Sequence, residues 1–447
     1  MSRLRWTELP QVRCPLAPIS TPPLTCDPLD QHHSRIDSRM DYRMNSFATL
    51  PLPDFRKAVR SWIAEHAPQG LAEVHDWNRP VIGAMDTEPF DRAERHPLYR
   101  EWERRLLAAG LVCPQWPVEY GGSGWTPDRA AAFVEECHRA GVPRVTRHMG
   151  EDLVAPALLA HGTEEQKAYF LPRIRTGEHR YCQGFSEPDS GSDLASLRTR
   201  GRVDGDRVVV SGQKTWTSLA ELATHMFTLC RTEPGSSRHR GISYVLIELD
   251  DPGVQIRPIP QITGRSEFCE VFLDEVPAPL FNVVGGLGDG WRVAMTTLGA
   301  ERGGKASTQR LGFEREVTDL LRLLTDQGRM RDPLVRRQLA LALGQVEVMR
   351  MQGDRVLAGV MSGRLDRGLD PSTGKLMWSE FQRELGDLLA RVLGPEFVVR
   401  PDGAGFPLDE WQDLFLASRA DTIYAGTSQI QRNLIAERVL GLPRGEH

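Results

Sequence analysis

No apolar run in this chain of 447 residues approaches the roughly 18 that a membrane-spanning helix needs, so a soluble protein is expected. An excess of positive charge is also missing. Lys and Arg number 55 against 60 Asp and Glu, a formal charge of -5 that offers no electrostatic footprint for nucleic acid. Cysteine is sparse and unpaired: Cys14, Cys26, Cys113, Cys137, Cys182, Cys230 and Cys269 are an odd number with no C-x-x-C spacing. That excludes a disulfide framework and a cysteine zinc site, so no metal is expected and a reducing cytoplasm fits best. What is present is enough apolar residue, 40%, to bury a sizeable core in one large fold or two to three packed domains.

Residues 1–45 stand apart. Pro10, Pro15, Pro18, Pro22, Pro23 and Pro28 interrupt any helix, no apolar stretch marks a secretory signal, and Asp27, Asp30, Asp37 and Asp41 do not suit an acid-poor transit peptide. This tail reads as disordered or non-native, with Met44 as an alternative start. From Leu52 the pattern turns helical, with Phe55, Val59 and Trp62/Ile63 at three- and four-residue steps. Between about Tyr181 and Gly285 it changes to short β-rich runs, Arg207–Ser211, Ile242–Ile247, Val254–Ile256 and Phe268–Phe272, punctuated by Asp204-Gly205 and Asp251-Pro-Gly253. After Gly290 helices return. The clearest starts at Asp332-Pro333, a cap followed by proline at the first helical position, and carries Val335, Leu339, Ala342, Val346, Met349, Gly353, Val356 and Val360 as the stripe of a bundle helix. Met349 and Met351 are explained as bundle core. The predicted fold is a multi-domain α+β chain: an N-terminal α domain over 46–178, a small middle β domain over 179–286 and a C-terminal four-helix-bundle domain over 287–447.

Three polar segments stand out against this frame. Gln183-Gly-Phe-Ser-Glu-Pro-Asp-Ser-Gly-Ser-Asp193 sets hydrogen-bonding residues around two glycines, so that backbone N–H groups can come close to a ring edge or phosphate oxygens. Alone it would read as a polar loop capping a helix. Gly212-Gln-Lys-Thr-Trp-Thr-Ser218 follows a strand and puts an aromatic slab beside a hydroxyl, although an isolated tryptophan is more often core. Ile423-Tyr-Ala-Gly-Thr-Ser-Gln-Ile-Gln-Arg432 is dense in short polar side chains, yet its centre, Ala425, can do no acid or base chemistry. The glycine-rich Gly285-Gly-Leu-Gly-Asp-Gly290 lacks the βαβ surroundings of a dinucleotide loop and reads as the exit from the β domain.

In this order the chain resembles the acyl-CoA dehydrogenase family from about residue 50 to 444. The motifs are Phe185-Ser-Glu-Pro to Gly191-Ser-Asp, Lys214-Thr-Trp-Thr-Ser, Pro258 to Val271 with Thr263-Gly264 and Glu270, Gly290-Trp291, and Ala425-Gly-Thr-Ser-Gln-Ile-Gln-Arg. Trp116-Pro-Val-Glu-Tyr-Gly-Gly122 and His161-Gly-Thr-Glu-Glu-Gln166 precede them in register. The resemblance implies FAD, a three-domain subunit, and removal of hydrogen from Cα and Cβ of an acyl-CoA thioester. By position it implies that Gln183, Phe185 and Ser186 meet the flavin, with Phe185 and Ser186 at its pyrimidine edge, Ser192 the pyrophosphate or substrate, and Trp216 one flavin face. Ser218 is implied near N5, where the family commonly has threonine. Thr427 and Gln429 are implied to hold the dinucleotide, and Ala425 and Gly426 to form part of the substrate floor.

In many such relatives the residue at position 425 is the glutamate that takes the α-proton. The isovaleryl-CoA dehydrogenase branch instead has a small residue before Gly-Thr and carries the glutamate on the first helix after the β domain, directly before an arginine. Leu298-Gly-Ala-Glu-Arg302 puts Glu301 at that place, with Arg302 shaping the pocket or orienting the carboxylate. A lone Glu-Arg pair would otherwise read as an exposed helix face. Two departures bear on assembly. The family's Arg-x-x-Phe-Gly motif, which reaches the FAD of a neighbouring subunit, is replaced by Asp326-Gln-Gly-Arg-Met-Arg-Asp332, and the glycine-rich turn before the last helices is only Leu393-Gly-Pro395. A homotetramer or homodimer and an electron-transfer flavoprotein or similar acceptor are the family expectations. A carrier-protein thioester in place of CoA, a flavin-dependent monooxygenase on the same fold and a non-catalytic partner subunit stay open as alternatives.

Overall fold

The computed structural model describes residues 47–74, 96–303, 308–363, 371–398 and 408–443, with the side chains of 74, 301–303, 371, 396 and 398 excepted. The tail over 1–45 lies outside the described residues.

The N-terminal part is helical: α1 Leu52–His66, α2 Leu71–Val74, α3 Pro97–Ala108, α4 Pro127–Ala140, a π-type turn over Gly150–Val154 that runs into α5 Ala155–His161, and α6 Glu164–Thr176. On α1 the four-residue step puts Phe55, Val59 and Ile63 on the buried face, while Trp62 lies at its edge and stacks on His66. Burying a side chain of this size contributes about 1.5–3 kcal/mol. Thr163 and Gln166 form a reciprocal capping box at the start of α6. The Gln166 amide then donates to the Phe281 and Val283 carbonyls at 2.6 and 2.9 Å, fastening the helical domain to the last strands of the sheet domain.

The middle domain is one sheet of β1 Tyr181–Gly184, β2 Arg200–Asp204, β3 Arg207–Ser218, β4 His225–Arg231, β5 Ile242–Glu248, β6 Val254–Ile259, β7 Phe268–Pro279 and β8 Val283–Val284. The order is β6-β7-β3-β2-β4-β5-β8, with β1 laid parallel against β4. All four expected strands are present, and β3 runs seven residues beyond Ser211, so that Lys214, Trp216 and Ser218 lie within a strand. β1, β2, β4 and β8 are additional. Strands β4 and β5 are buried on both faces. Phe227, Leu229, Tyr244 and Leu246 turn toward the helical domain, while Met226, Cys230, Val245 and Ile247 join a second core on the other side.

The C-terminal part comprises α7 Gly290–Gly303, α8 Arg310–Asp326, α9 Pro333–Met361, α10 Pro371–Leu393, α11 Glu410–Asp421 and α12 Ser428–Leu434. The Asp332 carboxylate accepts from the Leu334 amide at 2.8 Å, capping α9 as its sequence predicts. Val335, Leu339, Ala342, Val346, Met349, Gly353 and Val356 are buried along it. At its end the stripe departs from expectation: Gly359 is buried and Val360 is exposed, because a helix repeat of 3.6 has rotated Val360 off the seam. Met351 is likewise exposed, and Met349 is core.

Candidate active site

Strand β1 delivers the first polar segment. Its end is locked by the Thr228 hydroxyl, which donates to the Gly184 carbonyl at 2.7 Å. Phe185 then turns its ring inward, edge-on to Phe227 at 5.5 Å and to Tyr244 at 6.1 Å, so only its main chain is left for a ligand. Ser186 is half-buried and Ser192 exposed. Between them a tight turn closes on itself through paired Glu187 and Ser190 main-chain bonds of 2.9 and 3.0 Å. Gln183 is half-buried on β1.

Strand β3 brings the second segment alongside. Lys214 pairs with Val271 and Thr217 with Cys269, so Thr215 and Trp216 together oppose the single residue Glu270, a β-bulge. Trp216 sits at φ 57 and its indole is 59% exposed, against the tendency of a large aromatic to be covered. Ser218 lies beside it, 7% exposed, and the fully buried Thr217 hydroxyl has no hydrogen-bond partner among the described residues. The Lys214 ammonium is wholly buried and donates to Glu187 Oε1 at 2.8 Å and to the Phe185 carbonyl at 3.2 Å. Burial opposes charge on both partners. For Glu187, the Lys214 charge and the donors around the carboxylate outweigh it and hold the carboxyl below its ordinary range.

The third segment joins α11 to α12. Thr427 caps α12, its hydroxyl accepting from the Ile430 amide at 3.2 Å, and Gln429 is exposed. Ala425 and Gly426 both adopt positive φ, 51 and 88. A β-carbon on Gly426 would lie 2.4 Å from the Gln431 amide nitrogen, so glycine is required there on two grounds. Gln431 is a residue the sequence reading left without a role. Fully buried, it donates to the carbonyls of Ala425 and Gly426 at 3.1 and 3.3 Å and fixes both peptides. The signal for it was available in the Gln-x-Gln spacing: one glutamine is exposed and its neighbour two positions on turns inward. The Ala425 and Gly426 N–H groups have no acceptor among the described residues.

Helix α7 supplies the fourth element. The glycines at 285, 286 and 288 take positive φ and carry the chain from β8 into it, as expected of an exit loop. Gly290 presses on β5 so closely that a β-carbon would lie 2.4 Å from the Ser243 carbonyl carbon. Thr297 is buried, donating toward the Leu153 carbonyl and the Tyr244 hydroxyl at 3.3 and 3.4 Å. Glu301 is one turn further on, in the last turn of α7 with Arg302; the side chains of both lie outside the described residues. Helices α7 and α12 each pack on α10. A link the sequence did not reveal runs from the sheet domain to the bundle: Arg265 donates to Asp413 on α11 at 2.8 Å.

An exposed indole at a strained bulge, an unpartnered buried hydroxyl next to it and an open polar turn suit a flat ring system with a hydrogen-bonding edge. The residues present therefore fit a flavin. The acyl-CoA dehydrogenase N-terminal, middle and C-terminal domain families match residues 53–178, 182–276 and 288–440. The chain belongs to the acyl-CoA dehydrogenase family, and it is an FAD-dependent oxidoreductase.

Among its relatives, the acyl-CoA dehydrogenase IpdE1 of Mycobacterium tuberculosis is 46% identical over 391 residues, covering 88% of this chain and 98% of that protein. The acyl-CoA dehydrogenase FadE34 of the same organism is 40% identical over 84% of this chain and 50% of its own length. Of solved structures, the Tcur3481-Tcur3483 steroid ACAD is similar with a TM-score of 0.73 at 28% identity, over 89% of this chain and all of that one. The ChsE4-ChsE5 complex of Mycobacterium tuberculosis follows at 0.69 and 30%, over 88% and 98%. Among the described residues no helix is long and apolar enough to cross a membrane.

Proposed function

We propose that the protein carries out α,β-dehydrogenation of an acyl-CoA thioester, with Glu301 as the base that takes the α-proton. The observation that carries this reading is the pair of N–H groups at Ala425 and Gly426, unengaged among the described residues, in a loop that Gln431 holds through the Ala425 and Gly426 carbonyls. A thioester carbonyl accepting from the Ala425 N–H becomes a better electron sink, which makes the α-proton removable. Any residue except proline keeps that donor, so alanine serves where other relatives carry the base. Glu301 then accepts the proton, and Arg302 orients its carboxylate. Bound substrate excludes water from Glu301 and raises its affinity for the proton toward what a general base needs. FAD, when bound, accepts the hydride that leaves Cβ. Trp216 and Ser218 would face its ring, Gln183, Ser186 and the Phe185 main chain its edge, Ser192 its pyrophosphate or the thioester, and Thr427 and Gln429 would hold the dinucleotide.

We keep 46–178, 179–286 and 287–447 as the domain boundaries, and an electron-transfer flavoprotein as the class of acceptor. A homo-oligomer through the bundle is supported by the outward face of α9, where Leu334, Leu341 and Val348 recur every seven residues at 66, 59 and 52% exposure. The absent Arg-x-x-Phe-Gly motif and the likeness to the two-protein ChsE4-ChsE5 complex also admit a second, related subunit on that face.

The test is anaerobic mixing of the purified flavoprotein with a panel of acyl-CoA and acyl-carrier-protein thioesters, following loss of flavin absorbance. Wild type should bleach with at least one thioester, and Glu301→Gln should bleach at least about 100-fold more slowly. Equal rates in the two proteins remove Glu301 from the mechanism. A wild type that no thioester bleaches points to the monooxygenase alternative, which needs no α-proton base.

A further inference from the structure

The turn carrying Ser186 and the bulge carrying Trp216 and Ser218 come from distant parts of the chain, and one buried carboxylate joins them. Glu187 Oε1 accepts from the Lys214 ammonium at 2.8 Å and the Thr199 amide at 2.9 Å, while Oε2 accepts from the Arg198 amide at 2.6 Å. The side chains of Lys214 and Glu187 are 0 and 8% exposed. Next to them, the bulge takes Thr215 out of the ladder with β7, and the Thr215 amide donates instead to the Ser186 carbonyl at 3.0 Å. The turn thus stands in for the missing sheet partner at the point where β3 is irregular. A slip of one residue at that bulge would send Trp216 to the other face of the sheet.

Stability alone does not account for an ion pair here. An apolar pair of matching volume is often as stable as a buried salt bridge or more so, since removing two charges from water offsets much of their attraction. What the pair adds is direction: the carboxylate admits Lys214, Arg198 and Thr199 only in one arrangement of the turn against the strand.

We propose that Glu187, through Lys214, is a positioning residue for the cofactor, setting the separation between the Ser186 turn and the Trp216 bulge before the flavin enters. This rests on the assignment of those two segments to FAD. Three proteins test it as purified holoenzymes: wild type, the charge-neutral double variant Glu187→Gln/Lys214→Met, and Trp216→Ala. Each is heated while flavin fluorescence reports cofactor release and tryptophan fluorescence reports unfolding, and the visible circular dichroism of bound flavin and the Kd for added FAD are recorded. The double variant should unfold within about 3 °C of wild type, release flavin well below its unfolding temperature, bind FAD at least about tenfold more weakly and show altered flavin dichroism.

Release and unfolding that fall together, or a double variant with no unfolding transition, overturn the proposal, because the pair is then a requirement of the fold. So does FAD affinity within about twofold of wild type with unchanged dichroism. If Trp216→Ala changes the dichroism and the double variant does not, positioning alone fails. If Trp216→Ala leaves it unchanged, the flavin assignment fails and takes the proposal with it.

Discussion

Glu187 in the sheet domain and Glu316 on α8 of the bundle are both carboxylates drawn away from water, and their neighbours give them opposite character. Glu187 meets an ammonium and two main-chain N–H groups, which outweigh burial and keep it ionised. Glu316 meets the Gln382 amide, at 3.0 and 3.3 Å, and the Arg315 charge; burial outweighs both and pushes it up to about 8, favouring the neutral acid. Asp421, beside the Ala425 loop, follows the bundle pattern and is pushed up to about 6 by burial, which the Tyr424 hydroxyl and Lys375 only partly offset. The sheet domain also holds His225, stacked on His179 at 3.9 Å and pushed down to about 4, first by burial and then by His179. Depth of burial does not decide charge; the supply of donors does.

The contrast fixes the direction in which each region responds to pH. Glu187 is depressed in the folded state, so its contribution is present above the ordinary carboxylate value of 4.5 and is lost as pH falls through its folded value. His225 acts on the same side: the folded state binds fewer protons than the unfolded one between pH 4 and 6.5, and stability falls as pH drops across that window. Glu316 is raised, so its contribution is complete below 4.5 and is lost as pH rises to about 8. Acid should loosen the sheet, and alkali the bundle.

The largest expected effect comes from breaking the sheet pair. Glu187→Ala leaves Lys214 buried and unpaired and should cost about 3–5 kcal/mol in urea unfolding at pH 7; a cost below about 1 kcal/mol would show that Lys214 escapes to water. In the bundle the same kind of change has the opposite sign. Glu316→Gln should leave stability nearly unchanged at pH 5 and raise it by about 1–3 kcal/mol at pH 9, because glutamine never ionises. Parallel curves for wild type and variant between pH 5 and 9 would dispose of the neutral acid. Smaller again, His225→Phe keeps a ring against His179 and should flatten the acid side, gaining about 1–2 kcal/mol relative to wild type at pH 4.5 compared with pH 7. Least of all, Trp216→Ala in flavin-free protein should alter stability by less than about 0.5 kcal/mol, since the indole is mostly exposed. A larger loss would mean that the indole is covered in solution.

Legibility in the sequence followed periodicity. The α9 stripe could be read because an amphipathic helix repeats its burial every three or four residues. Likewise, β7 alternates buried and half-buried residues over Phe268–Leu273. Strand β4, His225-Met-Phe-Thr-Leu-Cys-Arg231, was not read, because six of its seven residues are buried and both faces are core, which removes the alternation. The motifs carried the cofactor class and pointed to Trp216, Ser218 and Thr427 as candidates, but not to the atoms each residue turns outward. Phe185 gives its ring to the core, and Gln431, which holds the Ala425 loop, faces inward from the same motif as Gln429.

The sequence by itself determined the order of helices, sheet and bundle, the family, and the lack of a side-chain acid or base at position 425. These are properties of local pattern and residue type, and neither depends on what lies across the fold. The tertiary structure decided the charge of each buried acid, the exposure of Trp216 and the joining of its bulge to the Ser186 turn. Those depend on which donors distant segments bring to a carboxylate, and Arg198, Thr199 and Lys214 reach Glu187 only once the sheet has formed.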